Sequence, residues 1–140
     1  MAHETTVKVR FSETDALGHI SNISYFIYLE EARTDFLVEL GFGTDIADWR
    51  IILVSAKCDF VRQGYFNQRL RVMSEVSKIG NSSFMIVHQI KDEKTGELIA
   101  TGEAGAVYFD FEKQKSEKLP TEFKEKLEKH LVKEARHDGK

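Results

Sequence analysis

The chain switches between two hydrophobic periods. Residues 5–11, TTVKVRF, alternate with Val7, Val9 and Phe11 on one side, which predicts a strand. Residues 24–41, SYFIYLEEARTDFLVELG, set Tyr25, Leu29, Ala32, Phe36 and Leu40 three or four positions apart, with Phe26, Arg33 and Leu37 beside them. That spacing predicts a helix of about four turns, stopped by Gly41 just past its last turn. The apolar stripe is broad, so the helix is expected to be buried along much of its length.

Four long strand-like runs follow: RIILVSAKCDFVRQG, RLRVMSEVSKIG, SSFMIVHQIKD and ELIATGEAGAVYFDF. In the second, Leu70, Val72 and Val76 alternate against Arg69, Arg71, Met73 and Glu75. The connections KIGNSS and DEKTGE have hairpin chemistry, so consecutive strands pair antiparallel. A short helix follows Pro120, over about residues 120–134, before a tail expected to fray. The order is that of an α+β fold with its helices on one face of the sheet. In the last strand Ala100, Gly102, Ala104 and Ala106 share a face, and small side chains let another backbone approach closely. The pattern predicts an antiparallel five-stranded sheet wrapped around one long central helix.

Composition narrows the classes. A single proline and no Gly/Ser-rich stretch in 140 residues point to one domain over 1–140. The formal net charge is -3, and there is neither a basic stripe nor a glycine-rich phosphate loop, so a nucleic-acid partner has no support. No window approaches the roughly 18 apolar residues of a membrane span. The start, MAHETTVKVRF, lacks the apolar run of a secretion signal. Cys58 is the only cysteine, so no internal disulfide forms, and a cytoplasmic protein is expected. His3, His19, His88, His130 and His137 show no ligand spacing, so no metal or other cofactor is expected.

The candidate chemistry sits in TDALGHISN, residues 14–22, immediately before the long helix. Punctuation needs fewer polar groups than this loop carries. Asp15 is either an Asx-turn residue or a working carboxylate. Ser21 and Asn22 are both good helix caps. Gly18 supplies a backbone angle, and His19 is a loop residue or a positioning group.

The segment FSETDALGHISNISYFIYLEEAR resembles the signature of the hot-dog-fold thioesterases of the 4-hydroxybenzoyl-CoA thioesterase-like superfamily. It shares T-D, then G-H, an Asn, a Tyr and a helix ending E-A-R. CDFVRQGYFNQRLRVMSEVSKIGNSSFMIVHQI and GELIATGEAGAVYFD resemble the remaining strands, so the likeness covers roughly residues 5 to 111. It implies hydrolysis of an acyl-CoA thioester. Asp15 matches the carboxylate that acts as nucleophile or general base. Asn22 matches the position whose backbone N–H polarises the carbonyl, with the Ile23 amide beside it. His19 matches the His of a G-H-x-N-N variant, in which Ser21 replaces the usual Asn. The chemistry agrees: a helix N-terminus offers unpaired N–H groups and a dipole that favours the developing oxyanion.

The same resemblance implies an acyl pocket lined by Phe11, Tyr25, Phe26 and Leu29, with Phe60, and a pantetheine arm running along the two middle strands, which carry Lys57, Arg62, Arg69 and Arg71. Arg62 ranks first for contact with CoA phosphates. Glu30 and Glu31 are weighed as a second base, with a solvated or Arg33-paired role preferred. Cys58 lies in an apolar run and reads as a packing residue rather than a nucleophile. A curled sheet leaves an edge strand and an open face, and proteins of this fold close them by forming a homodimer or homotetramer. Two other readings stay open, a thioesterase acting on acyl carrier protein and a non-catalytic acyl-CoA-binding module.

Overall fold

The structure, a computed structural model, describes residues 2–42 and 49–132. Its elements are β1 (His3–Lys8), α1 (Asn22–Glu39), β2 (Ile51–Phe60), β3 (Arg69–Ile79), β4 (Ser83–Asp92), β5 (Leu98–Asp110), β6 (Lys115–Ser116) and α2 (Thr121–Glu128). The pairings are antiparallel in the order β1-β3-β4-β5-β2, with the short β6 added to β5. The predicted α+β arrangement is present; β6 is an addition that two residues of sequence do not announce. α1 follows one edge strand and precedes the other, so it has to cross the face of the sheet. It ends as the sequence predicts: Gly41 N–H donates to Val38 O and Phe42 N–H to Leu37 O, the paired bonds that close a helix past a glycine.

The small face of β5 receives the Leu29 side chain of α1. Ala100, Ala104 and Ala106 are buried, and a Cβ placed on Gly102 would stand 2.7 Å from Leu29 Cδ1 of α1. β2 pairs this same face through Leu53↔Ala106, Ala56↔Ala104, Cys58↔Gly102 and Phe60↔Ala100, with a bulge between Leu53 and Ser55. The bulge inserts one residue and resets the alternation. Leu53 and then Ala56, Cys58 and Phe60 therefore share one face despite their uneven spacing.

The core forms two apolar clusters. One gathers Val7, Val9, Tyr28, Leu29, Leu70, Val72 and Ile90. The other gathers Phe36, Leu37, Val76, Ile86, Phe123 and Leu127. Between Val72 and Val76 on β3, and between Ile86 and Ile90 on β4, the inward positions are Ser74 and His88. These two are register partners, both buried, and share a hydrogen bond of 2.9 Å between Ser74 Oγ and His88 Nδ1. A polar layer thus divides the core.

Four expectations are corrected. Phe11 does not continue β1; the chain leaves the strand at Lys8 and turns through a 3-10 segment (Phe11–Glu13), leaving the Phe11 ring 76% exposed. α1 is buried on one side only, because Ile23, Phe26 and Ile27 face away from β1 and β3 and stay exposed. β2 is an edge strand rather than a middle one. The last helix stops at Glu128, after which Leu131 pairs alongside Val76; residues 133–134 of the predicted helix and the tail lie outside the described residues.

The close seat of α1 generates a test. Gly102→Val should lower stability by about 1–3 kcal/mol through overpacking, read from urea unfolding. Leu29→Ala in the same chain should return part of that loss, since the two side chains would compete for one space.

Candidate active site

The loop before α1 is held at both ends. Glu13 is buried, and its carboxylate accepts from Arg10 Nε at 2.9 Å, from the Arg10 terminal nitrogen at 2.6 Å and from the Tyr28 hydroxyl at 2.8 Å. Tyr28 sits in the second turn of α1, so this clamp ties the loop to the helix. Ser21 N–H then donates to Glu13 O, and Thr14 pairs with Ile20 across the loop. On its outer side the loop adds to residues 64–66: Ile20 N–H donates to Gly64 O and Phe66 N–H to Gly18 O. Gly64 lies flat against Ile20, where any Cβ would collide with the Ile20 side chain.

Within that frame Asp15 is fixed through one oxygen. Its Oδ1 accepts the N–H of Leu17 at 2.8 Å and of His19 at 3.2 Å, and its own N–H donates to His19 O at 2.8 Å. Gly18, at φ +81°, makes the turn that lets these bonds close. The Asx-turn geometry and an available second oxygen, Oδ2, coexist in one residue. His19 packs its ring edgewise on Tyr65 with centroids 5.2 Å apart. It contributes to the Asp15 seat through its backbone.

Ser21 is the N-cap of α1, so Asn22 and Ile23 are its first two helical residues. The Ser21 hydroxyl bonds Ser24 Oγ and makes no side-chain cap to a backbone N–H. The first N–H groups of a helix have no acceptor within it. Beside this terminus opens a cavity of about 240 Å³ lined by Asn22, Tyr25, Phe60, Arg62 and Ile20. Tyr25 and Phe60 touch there, ring centroids 5.1 Å apart. The structure therefore brings Asn22, Tyr25, Phe60 and Arg62 together. It does not bring Asp15 or Phe11 into that wall. Phe11 instead meets Phe66 edge to face.

A second cavity of about 250 Å³ runs between α1 and β2. Ile23, Phe26 and Leu53 give it an apolar wall, while Glu30, Arg33 and His88 supply polar groups. Sequence reasoning weighed Phe26, Glu30 and Arg33 but passed over His88 beside them and the Glu13–Tyr28 clamp. The legible signal was parity: Ser74 and His88 occupy apolar-phase positions of otherwise regular strands.

The remaining candidates separate. Lys57 and Arg62 lie on the β2 side, where Lys57 is 3.7 Å from Asp59 and Arg62 is 3.7 Å from Glu97. Arg69 and Arg71 are on β3, with β4 and β5 between it and β2, and are paired with Glu93 and Glu4. Cys58 packs against the core, and burial raises its thiol, which makes it a weak nucleophile at neutral pH. Glu31 is exposed on α1 and acts electrostatically on Arg10. Among the described residues no three His, Cys, Asp or Glu side chains are placed to hold a metal ion. None of the described helices is long and apolar enough to cross a membrane.

A family model described as the thioesterase-like superfamily matches residues 9–127. The chain belongs to that superfamily of thioester hydrolases. It is 34% identical to the protein YsmA of Bacillus subtilis (strain 168) over 86% of this chain and 82% of the relative. It is 28% identical to the long-chain acyl-CoA thioesterase FadM of Escherichia coli (strain K12), over 89% and 96% of the two chains. A solved structure of a predicted thioesterase from Bacillus stearothermophilus superposes with a TM-score of 0.88 at 28% identity, covering 94% of this chain and 98% of that one.

Several groups of this thioesterase titrate away from their ordinary values. Burial raises the Glu13 carboxyl, but the hydrogen bonds from Arg10 and Tyr28 outweigh it and hold it low. Burial lowers the Arg33 guanidinium, against the pull of Glu30. Burial, with the Arg33 charge adding to it, lowers His88 to about 4. Since His88 is harder to protonate folded than unfolded, its contribution is complete above about pH 6.5 and is lost as pH falls to about 4. Stability should drop on the order of 3 kcal/mol across that window from this group. Urea titrations at a series of pH values, with His88→Gln as the reference, should show a flatter acid limb in the variant.

Proposed function

We propose that this thioesterase hydrolyses acyl-CoA thioesters, with Asp15 as base or nucleophile and the Asn22 and Ile23 amides as the oxyanion hole. The observation that carries this reading is the loop itself. Asp15 is tethered through Oδ1, leaving Oδ2, and the loop ends at a helix terminus that borders a cavity. The likeness to FadM supports acyl-CoA as the substrate. Asp15, or water it deprotonates, attacks the acyl carbon. Charge then gathers on the carbonyl oxygen beside the α1 amides. The C–S bond breaks, and CoA leaves as a thiolate that takes up a proton. Where Asp15 itself attacks, water then cleaves the mixed anhydride, giving the free acid and restoring the carboxylate. Arg62 is the candidate contact for a CoA phosphate, Tyr25, Phe26 and Phe60 for the acyl group, and His19 orients the Asp15 loop. A cytoplasmic setting suits a chain with one cysteine.

The working unit is a homodimer, or a tetramer of two such dimers. β2 is an edge strand with Leu53, Val54 and Phe60 exposed, and α1 exposes Ile23, Phe26 and Ile27. Joining two β2 edges would continue the sheet and cover apolar surface on both elements. Asp15 of one copy would then serve a cavity of the other, which accounts for its standing outside the wall formed by Asn22 and Arg62.

Thiol release from a panel of acyl-CoA and acyl-carrier-protein thioesters tests the chemistry. Asp15→Asn should lose at least about 10²-fold in kcat with its fold intact. Equal rates for the two proteins would remove Asp15 from the mechanism, and turnover confined to carrier-protein thioesters would move the substrate class. For the assembly, Leu53→Arg should shift the sedimentation coefficient toward that of a monomer and lose activity with it.

A further inference from the structure

The cavity between α1 and β2 begins beside the amides assigned to the oxyanion and ends at charged and polar groups. Ile23, Phe26, Ile27, Glu30 and Arg33 of α1 all line it. From Ile23 to Arg33 a helix rises about 15 Å, and a long side chain at Arg33 leans back toward the N-terminus. Its wall is apolar near Ile23 and polar near Arg33. His88 also lines it, is 2% exposed, and has an Nε2 atom with no hydrogen-bond partner among the described residues. Nδ1 of the same ring is already committed to Ser74 Oγ. A buried polar atom left unmet costs about 1–3 kcal/mol, and here its ring belongs to the lining of a cavity that also includes Ile23.

Resting on the thioesterase reading above, the geometry points to a specificity subsite: Arg33 and His88 read a hydroxyl at the far end of the acyl group. A hydroxyl is the group that fits. It both donates and accepts, so it satisfies His88 Nε2 whichever ring nitrogen carries the proton, while Arg33 donates to its oxygen. A carboxylate on the substrate fits less well. The charged side chains lining the cavity, Arg33 and Lys57 against Glu30 and Glu103, cancel in formal charge and provide no net cationic field. A plain hydrocarbon end would leave Nε2 as it is and desolvate Arg33 further. Sites that hydrogen-bond a substrate group discriminate against analogues lacking it much more strongly than apolar pockets discriminate by one methylene.

Two matched pairs test this, benzoyl-CoA with 4-hydroxybenzoyl-CoA and octanoyl-CoA with 8-hydroxyoctanoyl-CoA, together with their non-hydrolysable CoA thioether counterparts. Wild type should favour the hydroxylated member of at least one pair by about tenfold or more in kcat/KM, and by a similar factor in thioether Kd. In His88→Leu and in Arg33→Met the ratio should fall toward one, with circular dichroism reporting the fold. If His88→Leu does not fold, Arg33→Met alone decides. Hydrolysis with no hydroxyl preference in either pair, or a preference that survives in a folded variant, overturns the subsite and leaves the thioesterase reading standing. A thioether preference lost in the variants, with no thioester hydrolysed, keeps the subsite and overturns the hydrolytic reading. Neither hydrolysis nor a binding preference overturns both.

Discussion

The structure depends on how Leu29 of α1 seats on the small-residue face of β5. α1 lies on β1 and β3, and its Leu29 side chain reaches the face of β5 that carries Ala100, Gly102, Ala104 and Ala106. With Leu29 seated over Gly102, nothing larger than a hydrogen fits at that point. The close approach lets side chains of β1, β3 and β4 reach the helix and form the two apolar clusters. It also leaves the helix off-centre. β2 lies beyond β5, so its inward residues Leu53 and Phe60 stay exposed and a groove opens between them and α1. Both cavities of the candidate site line this groove. The site is therefore a consequence of where a one-sided helix has to sit.

Much of this was legible because the periods are strong. The alternation of Leu70, Val72 and Val76 and the three-to-four spacing of Tyr25 to Leu40 each assign one face, and those faces are the buried ones. Phe11 misled because alternation says nothing about where a strand stops; β1 ends at Lys8, and the Arg10–Glu13 clamp holds the 3-10 turn that begins at Phe11. β2 misled in another way. Its bulge shifts the phase between Leu53 and Ala56, so a strict period of two puts half the strand on the wrong side. Its place at an edge depends on pairing across the whole fold, which local pattern cannot encode.

The loop of residues 14–22 was readable as a cluster but not as a geometry. Sequence left Asp15 between an Asx-turn and a free carboxylate, and the two oxygens divide those roles. The cap was ambiguous between Ser21 and Asn22; Ser21 takes it, which moves the Asn22 and Ile23 amides into the first turn. The Glu13–Tyr28 bond joins residues fifteen positions apart and had no local signature. It matters as much as the loop residues do, because it fixes the angle at which Asp15 meets the helix.

The polar layer of Ser74 and His88 is the feature least explained by stability. Apolar side chains at both positions would merge the two clusters into one core, and replacing satisfied or half-satisfied polar groups by well-packed apolar ones is commonly neutral or stabilising. The layer instead carries a ring nitrogen without a partner among the described residues and a guanidinium drawn out of water beside it. The neighbouring turn of α1 faces the groove rather than the sheet, and Arg33 belongs to both surroundings. A group bound in the groove would meet the polar layer where His88 and Arg33 line it.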